Sequence, residues 1–251
     1  MLSIDLNCDM GESFGRYSIG QDEELMQHVS SVNIACGFHG GDPGVMRKTV
    51  VLASKKSLAI GAHPGYPDLQ GFGRREMHLS PEEIYDMVLY QIGALTGIVK
   101  ASGAVLNHVK PHGALYNTAA KDKAIANAIA QAVRDADASL VLIGLSGSHL
   151  ITEGTHAGLK TASEVFSDRT YQDDGTLTPR SHPNALLDQP DDAARQVLNM
   201  VMHGKVISVS GKNIPVAADT VCIHGDGPHA LSFARAIVNT LTENNVSIKK
   251  T

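Results

Sequence analysis

Three nitrogen bases stand at alternate positions in the stretch HVKPHGALYN, residues 108 to 117, directly behind the apolar run AVL. Side chains of an extended segment alternate faces, so His108, Lys110 and His112 project one way while Val105 and Val109 project the other. Pro111 puts a twist into the last step and leaves His112 the least constrained of the three. The same habit recurs along the chain, where short apolar runs end in polar clusters: Asn7, Asp9 and Glu12; His39 and Asp42; His63 and Asp68; Ser146 and Ser148; Glu164, Asp168 and Arg169; His224 and Asp226. Parity pairs Asn7 with Asp9, and Cys222 with His224 and Asp226. Acids, bases and imidazoles are the groups of proton-transfer chemistry. Asp9, His39 and His63 could also form the Asp/His set that catalytic zinc uses, with His112 or His224 as substitutes, so the ligand types allow a divalent metal.

Taken singly, most of these residues have structural readings. A lone histidine after a strand, such as His63, commonly completes hydrogen bonds, and Asp42 before Pro43 reads as a helix N-cap. The glycines of GFHGGD, GAHPGYPD and HGDG suit turns. Ser146 and Ser148, in GLSGSH, lack the GxSxG frame of a nucleophile elbow. His28, His78, His149, His156, His182, His203 and His229 read as surface or structural, and Cys8 and Cys36 as core. No GxxxxGK[ST] occurs, and LNCDMGES stands where a GxGxxG would follow the first strand, so neither common nucleotide-binding loop is present. The clusters gain meaning as a set. Charge at nearly every strand end would crowd into one place without structural benefit.

The elements that must position them alternate. SIDLN, VNIAC, LAIGA, AVLNHV, LVLIGL, LKTASEVF and TVCIH read as strands separated by helical patterns, which implies a parallel sheet with right-handed crossovers. SPEE at 80 to 83 supplies a capping box. Ile84, Val88, Ile92, Leu95 and Val99 then form an apolar stripe. Ala124, Ile125, Ala128, Ile129, Ala132 and Val133 predict a second stripe, and Val197, Leu198, Val201 and Met202 a third. Asp42 with Pro43, and Gly227 with Pro228, open two further helices. Residues 167 to 189 carry no helical or strand pattern and suggest a lid or partner surface, and residues 205 to 216 a peripheral hairpin. In a β/α barrel all strands end at one mouth, where residues distant in sequence become neighbours.

Composition narrows the field. At 251 residues and 43% hydrophobic, the chain suits a single barrel domain over residues 1–251, and its net charge of −5 with scattered Lys and Arg excludes the basic footprint of a nucleic-acid binder. Three cysteines without CxxC spacing fit buried thiols in a reducing compartment. Asp5 interrupts any secretory core, and no apolar run reaches the roughly 18 residues of a membrane span. A cytoplasmic protein is expected.

LNCDMGE, NIACGFHGGD, IGAHPGYPD, HVKPHGALYN, EVFSDRTY, LTPR and VCIHGDGPHAL together resemble the successive motifs of the LamB/YcsF family, over residues 2 to about 231. Cys8, Gly65 with Tyr66, and the Thr of LTPR depart from the family pattern but spare the ionisable positions. The resemblance implies an irregular seven-stranded β/α (TIM-like) barrel of the glycoside hydrolase/deacetylase type. It also implies the ATP-dependent opening of 5-oxo-L-proline to L-glutamate by an A subunit of 5-oxoprolinase acting with separate B and C subunits. For that reaction the expected catalytic groups are Asp9, His63, Lys110, His112, Glu164 and His224. Asp9 or Glu164 would be the general base; Lys110, with His63 and His112, would stabilise the oxyanion or phosphate; His224 would pair with Asp226. Asn7, His39, Asp168, Arg169 and Asp226 would bind substrate, Arg169 by gripping a carboxylate or phosphate. Without a P-loop, ATP is expected to be shared with the partner subunits. The rival expectations are an independent metal-dependent hydrolase or deacetylase on the same barrel, and a noncatalytic lactam-binding subunit.

Overall fold

The computed structural model describes residues 2–225, 227 and 230–250. Six parallel strands pair in chain order: β1 (Ser3–Met10), β2 (Ser31–Ala35), β3 (Ala59–His63), β4 (Leu106–Val109), β5 (Val141–Leu145) and β6 (Lys160–Phe166). An antiparallel hairpin of β7 (Lys205–Ile207) and β8 (Asn213–Pro215) follows at the periphery, where residues 205 to 216 predict one. Then β9 (Thr220–Ile223) inserts between β6 and β1 and closes a seven-stranded barrel, and the short β10 (Ser247–Ile248) extends the start of β1. All seven expected strands are present, each within a few residues of its apolar run.

The crossovers are helical because their sequences carry the caps and stripes to be so. After the single-turn α1 (Asp22–Leu25), Asp42 accepts hydrogen bonds from the Gly44 and Val45 amides ahead of α2 (Pro43–Lys55), and Ser80 with Glu83 forms the reciprocal capping box of α3 (Pro81–Ala101). On α3 the stripe Ile84, Val88, Ile92, Leu95 and Val99 is buried. After α4 (Gly113–Lys121), α5 (Lys123–Ala136) buries the expected Ile125, Ala128, Ile129, Ala132 and Val133, but Ala124 in its first turn faces solvent. Between α6 (His149–His156) and the hairpin lies α7 (Pro190–His203), which turns Ala193, Ala194, Val197 and Met200 inward and leaves Met202 46% exposed. The apolar face there is displaced toward the helix start from the predicted one. α8 (Ala230–Glu243) follows β9; Pro228, His229 and Asp226 lie outside the described residues. Among the described residues no helix is long and apolar enough to cross a membrane.

The barrel interior is polar rather than oily. Asp5 is buried among Ser30, Ser31 and Thr220, and Thr220 in turn accepts from Asn7 Nδ2 at 2.7 Å. Asn33 Nδ2 donates to Asn7 Oδ1 at 2.7 Å and to Asp9 Oδ1 at 2.8 Å. The apolar neighbours Leu6, Cys8 and Met10 occupy the opposite face of β1 and pack in the hydrophobic core. Strand alternation thus feeds two cores of different chemistry. Between β3 and β4 the register slips at Ile60/Gly61, where the Asn107 side chain takes the Ile60 amide and His108 turns into the barrel. A bulge of this kind re-aims the residues beyond it. It also explains Val105, which lies outside β4 and is 71% exposed instead of facing the helices.

The expected irregular stretch, residues 167 to 189, has no helix or strand and folds back over the end of β6. Bridges of Arg169 with Leu186 and of Tyr171 with Leu177 pin it, and the buried Tyr171 hydroxyl accepts from the Phe166 amide at 2.7 Å.

Candidate active site

At the carboxyl end of the barrel lies a cavity of about 830 Å³. Its walls include Asp9 and Glu12 after β1, His63 at the end of β3, Lys110 and His112 beyond β4, Phe166 and Arg169 from β6 and its loop, and His224 after β9. Residues spread over more than 200 positions therefore share one space, as strand ends in this architecture must.

Lys110 is the centre of the floor. Its ammonium lies 2.9 Å from Asp9 Oδ1 and 2.9 Å from Glu164 Oε1, with Asn7 Oδ1 at 3.2 Å and Cys222 Sγ at 3.1 Å. The Phe166 ring faces it, with the ammonium 5.6 Å from the centroid. Burial opposes the charge on Lys110, but Asp9, joined by Glu164, outweighs it and raises the ammonium pKa well above its ordinary value. Burial likewise opposes ionisation of Asp9, and there His63 and Lys110 win, holding the carboxyl well below the usual range. Cys222 is driven the other way: burial pushes its thiol pKa well up despite Lys110, so it stays protonated. The floor is a paired array of one cation and two anions, in which each charge depends on the others.

Beside it stand the imidazoles. His63 Nε2 lies 3.3 Å from Asp9 Oδ2, and His63 Nδ1 donates to the Lys110 carbonyl at 2.6 Å. His112 Nδ1 is 2.9 Å from His63 Nε2, and His39 stacks on His112 with ring centroids 3.6 Å apart. Glu12 Oε1 is 3.3 Å from His39 Nε2 and 3.6 Å from His112 Nδ1. Burial, with neighbouring imidazoles, keeps the pKa values of His39 and His112 well below ordinary. One cluster of metal-ligating types is thus Glu12, His39, His63 and His112, in which Glu12 stands where the sequence suggests Asp9. Asp9 points at Lys110, whereas Gly11, at φ +68°, turns the chain so that Glu12 reaches His39. A second grouping joins Asp9, Cys222 and His224.

On the opposite wall His224 Nδ1 donates to the Asp168 carboxylate at 2.8 Å, and Arg180 Nη2 donates to His224 Nε2 at 3.1 Å. Burial alone would raise the Asp168 pKa; His224, Arg180 and Arg169 reverse the balance and lower it. Asp226, the expected partner of His224, lies outside the described residues, and Asp168 makes the contact. Arg169 lines the cavity, but its guanidinium donates to the carbonyls of Thr178 at 2.5 Å and Ala185 at 3.4 Å, so it ties the 167–189 segment together. His108 sits deeper, its Nε2 2.7 Å from Asn33 Oδ1.

Several contributors are absent from the expected set. Asn33 links Asn7, Asp9 and His108, and the sequence carries a signal for it: it is the polar residue at an inward position of VNIAC. Arg180, in LTPR, and Arg74 line the cavity, as does His149, which reads as surface or structural from its helical context. Tyr116 also lines it, its hydroxyl set against Glu164; among the described residues Ser148 Oγ and His39 Nδ1 are buried without a hydrogen-bond partner. Buried polar atoms left unsatisfied are rare and commonly mark a ligand's place. Ser146 Oγ, by contrast, accepts from the Ala217 amide outside the cavity.

A profile of the LamB/YcsF family matches residues 4–251. A Tolumonas auensis protein, named as the A subunit of 5-oxoprolinase, is 62% identical over 249 residues, covering 99% of this chain and 99% of its own. The Bacillus subtilis protein of the same name is 58% identical over 248 residues, covering 99% of this chain and 96% of its own. The crystal structure of a lactam utilization protein from Thermus thermophilus superposes with a TM-score of 0.94 at 49% identity and covers 100% of both chains.

Proposed function

The chain belongs to the LamB/YcsF family, and we propose that it is the A subunit of a 5-oxoprolinase, opening 5-oxo-L-proline to L-glutamate with ATP hydrolysis in the company of separate B and C subunits. The names of its near relatives support the reading. The observation that carries it is the Asp9–Lys110–Glu164 array on the floor of a strand-end cavity.

A five-membered lactam resists hydrolysis because its amide is resonance-stabilised and ring opening is nearly thermoneutral. ATP supplies a phosphoryl group that, placed on the amide oxygen, makes the carbonyl carbon a better electrophile. Water then adds to that carbon, the C–N bond breaks with the nitrogen taking a proton, and a second water releases phosphate and glutamate. Asp9, held ionised and open to the cavity, positions and deprotonates the attacking water with His63 beside it. Glu164 is fully buried behind Lys110 and fixes the ammonium. Lys110 meets the developing negative oxygen by exchanging its longer contacts to Asn7 and Cys222 for it. His224, held by Asp168 and Arg180, is the acid/base group of the far wall. Arg180 and Arg74 take the place expected of Arg169 in gripping a carboxylate or phosphate, since Arg169 is engaged by backbone carbonyls.

The cavity is several times the size of a small lactam and lies within the roughly 300–1,000 Å³ of ordinary ligand sites. Partner subunits share in handling ATP, and the three free, buried thiols suit the reducing cytoplasm. Reconstitution with B and C subunits, following glutamate and ADP together, tests the reading. Coupled production of both supports it, and steady ring opening by this polypeptide alone contradicts the sharing of ATP.

A further inference from the structure

Two contacts fix the tautomer of His224. Its Nδ1 lies 2.8 and 2.9 Å from the two Asp168 carboxylate oxygens, and a carboxylate only accepts, so the ring proton sits on Nδ1. Nε2 then carries the lone pair through which a neutral imidazole takes up a proton. Arg180 Nη2 donates to that lone pair at 3.1 Å. A guanidinium has donors but no acceptor and keeps its charge, so it cannot pass a proton along. The base of the far wall is therefore capped in the resting protein by a group that must leave before the nitrogen can act.

The imidazole keeps its place without Arg180. Asp168 holds Nδ1, and the Phe166 ring stacks on His224 with centroids 5.5 Å apart and planes inclined by 25°. Arg180 itself rides on an arch, residues 179 to 184, every one of them exposed. Both feet of the arch are pinned. Arg169 donates to the Thr178 and Ala185 carbonyls, the Thr178 amide donates to the Thr170 carbonyl at 3.0 Å, and the Thr170 amide donates to the Ala185 carbonyl at 3.1 Å. The guanidinium can thus swing without loosening the rest of the loop. His224 offers it one neutral lone pair, whereas a carboxylate or phosphate offers two charged oxygens, and charge-assisted bonds of that kind are roughly twice as strong. Arg180, Arg74 and His224 line one cavity, so an anion held there competes for the guanidinium directly. We infer that Arg180 is a gate on His224: it caps Nε2 until an oxyanion enters the cavity, and the oxyanion draws the guanidinium off and exposes the nitrogen. The inference rests on the reading of His224 as an acid/base group and of the ligand as an anionic lactam. An uncharged ring of the same shape would leave the base covered, so the gate ties proton transfer to the charge of the substrate as well as to its ring.

The nitrogen-15 histidine spectrum of the full-length chain reads the cap, with the His224 signals assigned by their loss in His224→Gln. Arg180→Met should shift the Nε2 signal from its position in the unaltered chain. Saturating 5-oxo-L-proline should move the unaltered signal toward the Arg180→Met position. 2-Pyrrolidinone, the same ring without the carboxylate, should leave it where it stands. Inorganic phosphate is titrated separately, and movement with phosphate alone would keep the gate and assign its opening to a phosphoryl group. Should Arg180→Met fail to fold by circular dichroism, Arg180→Gln supplies the reference position, and movement in the unaltered chain decides. An Nε2 signal unmoved by both oxyanions, or identical in the unaltered chain and the Arg180 variant, overturns the inference, as does an equal movement with 2-pyrrolidinone. Coupled release of glutamate and ADP by the complex reconstituted with B and C subunits tests the underlying reading apart from the gate. Products without the movement keep the reading and remove the gate, movement without products does the reverse, and absence of both removes both.

Discussion

The Asp9 carboxylate and the Lys110 ammonium meet 2.9 Å apart, across 101 positions of sequence, on the floor of the barrel mouth. Neither charge could be buried there alone. Glu164 on the far side of Lys110 completes a triad in which removing one member strands another.

Lys110→Met should therefore cost about 3–5 kcal/mol of stability, because two buried carboxylates lose their counter-ion. Adding Glu164→Gln should restore part of that loss. Urea denaturation of the single and double variants measures it; strictly additive losses would show that the pair is not coupled.

The turn of His108 into the barrel depends on a missing side chain. A Cβ at Gly61 would lie 2.0 Å from His108 Nε2, so Gly61→Ala should destabilise by about 1–3 kcal/mol through overpacking. His108→Ala in the same chain should relieve it. Equal melting temperatures for Gly61→Ala and the unaltered protein would show that His108 moves freely.

Acid should weaken the fold partly through that same histidine. Burial, with Lys110 and His63 nearby and despite Asp9, lowers the His108 pKa to about 3 from the ordinary 6.5. Between those values the unfolded chain binds a proton that the folded chain does not, so this contribution is complete above about pH 6.5 and is lost as pH falls toward 3. His108→Asn should flatten the stability profile across that window. An unchanged slope would mean that His108 is protonated in the folded protein.

Asp168 sets the His224 tautomer and Arg180 caps its other nitrogen. Asp168→Asn should lower turnover in the reconstituted complex by about 10²–10⁴-fold, the range of a general acid/base contribution, with a smaller change in KM. A rise in KM alone would make the His224 wall a binding surface only.

The seven strands are legible in their apolar runs, and the inward facing of Asn7, Asp9 and Lys110 in their alternation, because a period of two leaves little choice once one face is buried. Legibility ends where the backbone departs from that period. Alternation puts Val105 inside β4, but it precedes the slip that Asn107 accommodates. Residue types alone do not mark Glu12 as a neighbour of His39, because Gly11 turns the chain out of strand geometry to bring it there. An arginine in Arg169's position suggests a grip on a ligand, and only the folded loop directs its guanidinium to the Thr178 and Ala185 carbonyls while Arg180 reaches His224. Periodicity places Met202 on the buried stripe of α7, and docking against α8 sets that face in another direction.

Single-turnover formation of glutamate by the complex reconstituted with B and C subunits, with Asp9→Asn or Lys110→Met in this chain, bears most directly on where the ring opens. Asp9→Asn should keep its fold, Lys110→Met should keep it at the lowered stability predicted above, and both should lose the chemical step by at least about 10³-fold, as expected for groups acting on the reacting atoms. Glutamate formed at the unaltered rate by either variant would place the chemistry elsewhere in the complex.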